Sequence, residues 1–389
     1  MSTLNYIDIG TKLVRKMESK RMKILITTNI PSPYMIDYLT ALSNYCQITV
    51  IFELGSALDR NSSWYGKSFD NFEAIFLNAR RIGNEQGLSF KVFKYLNKKK
   101  YDKIIIANPT TPTGILELLY CRWFSIPFCI QSEGGFQGTG KGFKEKFKKY
   151  LMEKAELYLT GMGGDNDYFL MYGAKKNALK PYPFTSLKEE DLFKAFELTN
   201  IDKNKFRKKL NMMEKKILLS VGRFSYEGGY GKGYDYLMML AERMSDDIGF
   251  YIVGDEPTKE FIDWKVKSNL NNVHFICFKN KEELAEYYAA SDLFILLTRG
   301  DTWGLVINEA MAYSLPIISS DKCIAGIELV KNGTNGFVVP LDNLNNIQQK
   351  IEKIIYNKDI ISTYGNNSYK IIQNYSIENM ALYIFEAIR

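Results

Sequence analysis

The sequence predicts an α/β protein built from two doubly wound units of similar size. Two observations indicate this fold class. Apolar strand patterns alternate with helical patterns, and the alternation stops once, near the middle of the chain, before it resumes. Such alternation is typical of parallel sheets with crossover helices, and 389 residues are too many for one ordinary core.

The first unit is predicted over residues 22–185, and we interpret residues 1–21 as an N-terminal extension. Its strands are apolar runs that end near a polar residue or a glycine: MKILITT, CQITVIFEL, KIIIAN, PFCIQSE and LYLTG. Helical patterns lie between them: MIDYLTALSN, KVFKYLNKKK, TGILELLYCRWF and a basic segment at about 142–155. Together they predict an N-terminal Rossmann-like domain.

The alternation stops over residues 186–214, which carry many charges and no strand pattern, so we predict a linker region there. It resumes with KILLSVGRF and continues to FVV, which predicts a C-terminal Rossmann-like domain over 215–365. Residues 366–389 predict a helical tail that packs back toward the N-terminal domain. We expect the two domains to face each other across a cleft, a common place for a ligand.

Composition and charge limit the class of protein. No apolar run approaches the roughly 20 residues that span a bilayer, and the first residues lack the apolar core of a signal peptide. The five cysteines have no CxxC spacing, which favours reduced thiols and a cytoplasmic protein. Residues 1–190 hold 27 Lys and Arg against 18 Asp and Glu, while the remainder holds 24 against 26. A basic first half favours an anionic partner, with compositional drift as the alternative.

The segment LTRGDTWGLVINE is the most informative one. It places two carboxylates, Asp301 and Glu309, eight positions apart, between a buried strand pattern and a helix pattern. Asp301 is therefore predicted in the turn at the carboxyl end of a strand, where open α/β sheets bind ligands. Alternatively, Asp301 only caps the helix and Glu309 is solvated.

A glycine-rich loop with two cations follows another predicted strand, in SVGRFSYEGGYGKGYDYL. Its glycines precede a helix that begins near Gly233, and free backbone N–H groups at a helix N-terminus favour a phosphate. Arg223 and Lys232 add two positive charges. The loop matches neither GxxxxGK[ST] nor GxGxxG, and a flexible surface loop remains the alternative.

Two other strand ends carry weaker signals. In YIVGDEP, Gly254 and Asp255 follow a strand, and backbone there is placed to contact a base or a sugar. In QSEGGF, Glu133 precedes Gly134 and Gly135, so this carboxylate is placed to bind hydroxyls or to assist deprotonation. An ordinary loop with a solvated glutamate is the alternative.

Other residue types exclude some functions. The single histidine, His274, lies in an apolar strand pattern, which excludes Ser-His-Asp catalysis and histidine-rich metal sites. Asp165 and Asp167 spell DND, which we interpret as helix capping, so we predict no metal site.

The basic segment at 142–155 is typical of a helix on an anionic membrane surface or, alternatively, of a core-facing helix with solvated lysines. No nucleic-acid-binding motif occurs, so no nucleic acid partner is predicted.

Together these residues resemble the retaining glycosyltransferases of the GT-B fold, in the group 1 or family 4 branch. The likeness runs from Met22 to the end and is strongest over 217–340. The family's GR…KG loop is matched by Gly222, Arg223, Lys232 and Gly233, its G-D-G-like turn by Gly254 and Asp255, and its E-x7-E motif by Asp301 and Glu309. NIPSPYMIDYL, SEGGF and YPFTSL resemble a bacterial polysaccharide branch. Asp301 stands where the family has glutamate, and the first domain lacks a histidine that many members have.

The resemblance implies a GT-B architecture and a role for each matched residue. Arg223 and Lys232 would neutralise the donor diphosphate, and Glu309 would hold the ribose hydroxyls. The implied catalytic set is Arg223, Lys232, Asp301 and Glu133. The implied donor-binding set is Gly222, Arg223, Lys232, Gly254, Asp255, Thr302, Trp303, Gly304, Leu305 and Glu309. The implied acceptor-side set is Pro33, Tyr34, Glu133, Gly134 and Gly135.

The expected activity is transfer of a sugar, with retention, from a nucleotide sugar to a saccharide acceptor in bacterial surface polysaccharide synthesis (capsule, exopolysaccharide or O-antigen). The acceptor is expected to be linked to a polyprenyl diphosphate, and the protein to be cytoplasmic or peripheral on the inner face of the plasma membrane. The nucleotide sugar is a co-substrate, and neither a cofactor nor a metal is expected. The alternatives are a nucleotide-sugar epimerase of the same architecture and a catalytically degenerate sugar-nucleotide-binding partner subunit.

Overall fold

The computed structural model describes residues 21–57, 68–133, 135–136, 138, 142–161 and 167–389. These residues form two compact α/β units, each with its own parallel sheet. The first unit contains the described residues up to Phe184 together with Ile377–Arg389, and the second unit is Thr185–Ser376. The α/β fold class predicted from the sequence is confirmed.

The described strands of the first unit are β1 (Lys23–Thr28), β2 (Gln47–Phe52), β3 (Glu73–Phe76), β4 (Arg80–Arg81), β5 (Gly87–Leu88), β6 (Lys103–Ile106), β7 (Cys129–Ser132), β8 (Tyr158–Thr160) and β9 (Leu179–Pro181). All except the antiparallel pair β4 and β5 form one parallel sheet, in the order β3-β2-β1-β6-β7-β8-β9. The order of strands reverses between β1 and β6, which makes this the topological switch point of a doubly wound sheet.

The helices of this part are α1 (Pro33–Ser43), α2 (Pro112–Trp123), α3 (Phe143–Met152) and α4 (Asp167–Met171). Proline at the first position favours the start of α1 and α2, because its fixed φ suits a helix and its missing N–H has no intrahelical partner there. The pattern KVFKYLNKKK, predicted as a helix, forms only the 3-10 helix Phe90–Lys94.

The sheet of the second unit is formed by β10 (Lys216–Val221), β11 (Ile248–Val253), β12 (Val273–Ile276), β13 (Leu293–Leu296), β14 (Ile317–Ser320) and β15 (Gly336–Val339). All neighbouring strands are parallel, in the order β12-β11-β10-β13-β14-β15. The strands are apolar runs because helices cover both faces of a parallel sheet. In β11 and β13 every residue is buried.

The remaining helices are α5 (Glu189–Thr199), α6 (Lys203–Lys209), α7 (Tyr234–Ala241), α8 (Lys259–Lys267), α9 (Lys281–Ala290), α10 (Leu305–Ala312), α11 (Ile324–Leu329), α12 (Leu344–Ile355), α13 (Lys358–Ile372) and α14 (Ile377–Ile388). Two of them, α5 and α6, occupy the segment predicted as a linker region. Arg207 of α6 binds the buried Asp292 at 2.6 Å, so the charges of this segment fix it to the second unit.

The last helix, α14, belongs to the first unit and packs against α1. Its buried face consists of Ile377, Met380, Ala381, Ile384 and Ile388. Phe385 stacks on Tyr45, which follows α1, with ring centroids 5.3 Å apart. The helical tail predicted from residue 366 is thus two helices, because α13 ends at Ile372 within the second unit.

A buried polar network crosses the switch point of the first sheet. Glu117, on α2, is completely buried and its Oε2 lies 2.5 Å from the hydroxyl of Thr27 at the end of β1. The same hydroxyl lies 3.0 Å from Oδ1 of Asn108. The amide of Asn108 donates to the buried Glu53, which also accepts hydrogen bonds from Thr111 and, at 2.8 Å, from the Gly87 N–H. Burial raises the pKa of Glu117 from 4.5 to about 8, so this carboxyl is neutral at pH 7.

Candidate functional site

The glycine-rich loop lies at the carboxyl edge of the second sheet, where β10 ends. Gly222 follows β10, and its N–H donates to the carbonyl of Val253 at 3.0 Å. A Cβ on Gly254 would lie 1.9 Å from the carbonyl oxygen of Gly222. Glycine at 254 therefore allows the ends of β10 and β11 to approach each other, which brings the backbone of Arg223 beside this turn.

Asp255 holds the start of this loop. Its carboxylate accepts hydrogen bonds from the N–H groups of Phe224 and Ser225, the latter at 3.1 Å. Asp255 was predicted as a donor-binding residue. Its side chain satisfies two backbone N–H groups next to Arg223, which stabilises the conformation of the loop. Its role in donor binding stays a prediction.

The loop ends at Gly233, which has φ of 73° and is the N-cap of α7. A Cβ here would lie 1.9 Å from the carbonyl oxygen of Leu297, which follows β13. Both the positive φ and this close approach require glycine. The predicted start of a helix near Gly233 is confirmed.

Lys232, from the glycine-rich loop, and Asp301, from the turn after β13, form an ion pair. The Lys232 Nζ lies 2.6 Å from Oδ2 of Asp301, and each side chain is only 17% exposed. The ammonium also lies 5.3 Å from the ring centroid of Tyr226, within the range of a cation–π contact. The structure therefore joins the glycine-rich loop to the turn that follows β13.

The turn of Asp301 is fixed by backbone contacts with the segment after β14. The Asp301 N–H donates to the carbonyl of Lys322 at 2.9 Å, and its Oδ1 accepts a hydrogen bond from the N–H of Trp303 at 3.4 Å. The N-cap of α10 is Gly304, with φ of 97°. Asp301 therefore shapes the turn before the helix and is not its N-cap.

The residues between Asp301 and α10 differ in their access to a ligand. Thr302 is exposed, and Leu305, the first residue of α10, is partly buried. Trp303, predicted as donor-binding, is 3% exposed, and its indole N–H donates to Oδ1 of Asn308 at 2.8 Å. Its ring thus lies inside the unit, so the tryptophan supports the turn by packing.

Glu309 lies in the middle of α10 and is partly buried. Its Oε2 accepts a hydrogen bond from the phenol of Tyr288, on α9, at 2.9 Å. Burial raises the pKa of this carboxyl. Lys281 and Asp191, which form an ion pair of 2.5 Å, also act on this carboxyl: the charge of Lys281 lowers its pKa and the charge of Asp191 raises it. The alternative of a freely solvated Glu309 does not fit these contacts.

The acceptor-side residues predicted from the sequence belong to the first unit. Glu133 directly follows β7 and is partly buried, which raises its pKa. The charge of Glu133 in turn contributes to the raised pKa of the buried Tyr182, so these two side chains are neighbours. Pro33 and Tyr34 begin α1, and the ring of Tyr34 meets Phe184 edge to face, with centroids 5.8 Å apart.

The glycines after Glu133 are described only in part. A Cβ on Gly135 would lie 2.7 Å from the ring of Tyr168, so a larger residue there would displace that ring. Gly134 lies outside the described residues. Asp165 and the side chain of Asp167 lie outside them as well, so the capping interpretation of DND stays a prediction.

His274 lies on β12, as its strand pattern predicts. Its Nε2 is 2.6 Å from Oε1 of Glu214, and its ring stacks on Tyr251 with centroids 4.4 Å apart. Tyr251 donates to the other oxygen of the same carboxylate at 2.9 Å. Across the described parts of the chain, no three metal-ligating side chains are grouped in a way that fits a metal ion.

The basic helix α3 combines a buried end with exposed aromatic side chains. Leu151 and Met152 are buried in the first unit, whereas Phe143 is 85% exposed. The neighbouring end of α2 exposes Trp123, at 70%. In the described residues, no helix is both long enough and apolar enough to cross a bilayer.

Sequence reasoning missed three residues at the second-unit site: Tyr288, Arg299 and Asp235. Tyr288 binds Glu309, and Arg299 pairs with Asp235 beside the glycine-rich loop. Arg299 lies three positions after the end of the buried strand β13, and Asp235 lies in the first turn of the helix after the loop. Both positions, one after a strand and one at a helix start, could have marked these residues as candidates. The sequence does not show that the two side chains pair, because their pairing depends on the fold.

Comparison with known protein families gives one match, and it lies within the second unit. Residues 202–371 match the family described as glycosyl transferases group 1. The likeness to the group 1 glycosyltransferases thus covers 170 of the 389 residues, all of them in the second unit. This match includes the loop of Arg223 and Lys232, the turn of Asp301, and Glu309.

Curated relatives of this chain include named glycosyltransferases, one of them from capsule synthesis. The capsular polysaccharide biosynthesis glycosyltransferase CapM of Staphylococcus aureus is 25% identical over 70% of this chain and 73% of its own length. The N,N'-diacetylbacillosaminyl-diphospho-undecaprenol alpha-1,3-N-acetylgalactosaminyltransferase of Campylobacter jejuni is 20% identical over 72% of this chain and 75% of its own. An uncharacterized glycosyltransferase of Methanocaldococcus jannaschii is 27% identical over 44% of this chain, and the chain spans only 50% of that relative's length.

The fold agrees with that of solved glycosyltransferases. HepE of Anabaena, solved in complex with UDP and glucose, superimposes with a TM-score of 0.70 at 17% identity, over 94% of this chain and 98% of its own. The predicted GT-B architecture, with its two Rossmann-like domains, is confirmed.

Proposed function

We propose that this chain is a retaining glycosyltransferase that moves a sugar from a nucleotide sugar to a saccharide acceptor. The observation that carries the proposal is the ion pair of Lys232 and Asp301, which joins a glycine-rich helix start to the turn of a second strand end. This pair lies at the carboxyl edge of a doubly wound sheet, where such folds bind ligands.

The donor diphosphate is proposed to bind at the glycine-rich loop. Departure of the leaving group builds negative charge on the diphosphate, which Arg223, Lys232 and the N-terminus of α7 are placed to stabilise. An ammonium has three N–H donors, so Lys232 is able to keep its bond to Asp301 while it binds a phosphate oxygen. Because these groups already supply positive charge, we propose that the reaction needs no divalent metal.

Glu309 is proposed to bind the ribose hydroxyls of the donor. A hydrogen bond from Tyr288 fixes one of its carboxylate oxygens at 2.9 Å, which orients the other. An oriented acceptor of this kind binds a hydroxyl at a small entropic cost. Asp301 and the exposed backbone of the turn at Thr302 are proposed to lie nearer the transferred sugar.

The first unit is proposed to bind the acceptor. Glu133 is partly buried beside Tyr182, and its raised pKa suits a group that takes a proton from an acceptor hydroxyl. The names of the capsule relative and of the undecaprenol-dependent relative support a saccharide acceptor linked to a polyprenyl diphosphate in surface polysaccharide synthesis.

Contact with an anionic membrane surface is part of the same proposal. The lysines of α3 supply positive charge. The exposed Phe143 supplies an apolar ring, and the exposed Trp123 supplies an amphipathic indole for the interface between lipid and water. Such a contact would bring the first unit to a lipid-linked acceptor.

A panel of UDP-, GDP-, ADP- and TDP-sugars, each incubated with the purified protein, tests the proposal. Slow release of free sugar and nucleoside diphosphate from one donor is the expected result, and analysis of the released sugar's anomer checks retention. Conversion of the donor into its epimer, without release of nucleotide, would show an epimerase. Failure of every donor to bind or react would contradict the proposed function.

A further inference from the structure

Arg299 and Asp235 form an ion pair behind the glycine-rich loop. The guanidinium donates from Nη1 to Oδ1 at 2.7 Å and from Nη2 to Oδ2 at 2.6 Å. Asp235 is buried in the first turn of α7, and its hydrogen bonds raise the pKa of Arg299 above its ordinary value. Two parallel bonds of this kind fix both the distance and the orientation of the two side chains.

The same arginine holds the backbone of the loop. Its Nη1 donates to the carbonyl of Tyr230, and its own N–H donates to the carbonyl of Gly231 at 2.9 Å. The hydroxyl of Thr298 donates to that second carbonyl as well, also at 2.9 Å. The residue directly before Lys232 therefore receives two hydrogen bonds from the segment after β13.

Arg299 thus connects the loop of Lys232 to the turn of Asp301, the two residues that form the ion pair of the candidate site. Arg299 precedes Asp301 by two positions, and the carbonyls that it holds precede Lys232 by one and two positions. The loop also contains Gly228, Gly229 and Gly233 at positive φ, so its own sequence gives it little rigidity. A rigid connection to β13 removes this freedom before a ligand binds.

We propose that Arg299 and Asp235 are positioning residues, which hold the glycine-rich loop so that the Lys232 ammonium meets the donor diphosphate. This inference rests on the proposed function of the loop. The pair would act through Lys232 rather than by contact with the donor. Its loss should therefore weaken nucleotide binding only where the lysine is present to be positioned.

A double-mutant cycle separates this role from direct contact. The probes are UDP, GDP, ADP and TDP, each titrated calorimetrically into the full-length protein. For whichever diphosphate the wild type binds, Arg299→Ala should weaken affinity about tenfold or more. In a Lys232→Ala background, the same substitution should change affinity less than about twofold.

Conservative and control variants complete the set. Arg299→Lys keeps the charge but loses the two-pronged bond, so it should recover only part of the affinity. The double variant Asp235→Asn with Arg299→Gln leaves no unpaired buried charge and remains testable if single variants fail to fold. Arg243→Ala removes an exposed arginine of the same unit and should leave affinity unchanged.

Hydrogen exchange gives a readout that does not depend on the ligand. The amides of residues 226–233 should exchange faster in the Arg299 variants, while the amides of β10 and β11 keep their protection. Equal losses of affinity with and without Lys232 would show direct donor contact and overturn the positioning role. Unchanged loop exchange would overturn it too. If the wild type binds none of the four diphosphates, the proposed function fails, and loop exchange alone decides whether the pair holds the loop.

Discussion

Glu117→Gln should stabilise the protein at neutral pH. The folded structure holds Glu117 neutral, because burial raises its pKa from 4.5 to about 8. The unfolded chain ionises this carboxyl above 4.5, so folding at pH 7 requires uptake of one proton. At 1.36 kcal/mol per pH unit, the 2.5 units between 4.5 and 7 correspond to about 3 kcal/mol.

The difference in stability between Glu117→Gln and the wild type depends on pH. A carboxyl whose pKa is raised by folding favours the folded state most below pH 4.5, and this advantage is lost as the pH rises toward 8. Glutamine is permanently neutral, and its side-chain amide has both an oxygen that accepts and an N–H that donates, so it retains a hydrogen bond with the Thr27 hydroxyl. The variant should therefore match the wild type near pH 4.5 and exceed it by up to about 3 kcal/mol at pH 7.

Urea denaturation followed by tryptophan fluorescence at several pH values between 4.5 and 8 measures this difference. Glu156→Gln is the matched control, since Glu156 is an exposed glutamate of the same unit. It should follow the wild-type pH profile. Parallel profiles for the wild type and Glu117→Gln across this range would refute the reasoning, because they would mean that the folded protein binds no extra proton at Glu117.

The proposed site leads to four more expected outcomes. Lys232→Ala should lower turnover at least about 10²-fold with an unchanged circular dichroism spectrum, and wild-type turnover would refute its role. In steady-state kinetics, Asp301→Asn should lower kcat more than donor affinity, whereas Glu309→Gln should chiefly weaken donor binding. Activity should persist in EDTA, and a loss restored by Mn²⁺ or Mg²⁺ would contradict the proposed independence from metal. The protein should sediment with acidic liposomes at low salt, because each basic residue near such a surface contributes about 1 kcal/mol to binding. Charge reversal at Lys144, Lys148 and Lys149 should lower the fraction that sediments.

The sheets could be predicted from the sequence because parallel strands buried on both faces are uninterrupted apolar runs. The runs ending at Val221 and Leu296 are examples, and they place the loop of Lys232 and the turn of Asp301 at one sheet edge. The ion pair of these two side chains was not itself predicted. Both residues had been selected because of their positions at strand ends and their charge.

The remaining features depend on contacts between distant segments. Glu117 lies in the apolar run TGILELLYCRWF, and nothing local shows that its carboxyl meets Thr27, 90 positions earlier. Arg299 and Asp235 are 64 positions apart, so only the packing of α7 beside β13 reveals their bond. Similarly, the charges of 186–214 predicted a linker because their partners, such as Asp292, lie elsewhere in the sequence.

The position of α14 has a consequence for how the chain folds during synthesis. The ribosome makes the second unit before it makes Ile377–Arg389, so the first unit lacks α14 until the second unit has been made. Until then, the surface of α1 that α14 covers is open to solvent or to other molecules. Domains usually fold in order of synthesis, but here the unit that begins first is completed last. A truncation after Ser376 would leave that apolar surface uncovered, and exposed apolar surface of this kind favours aggregation.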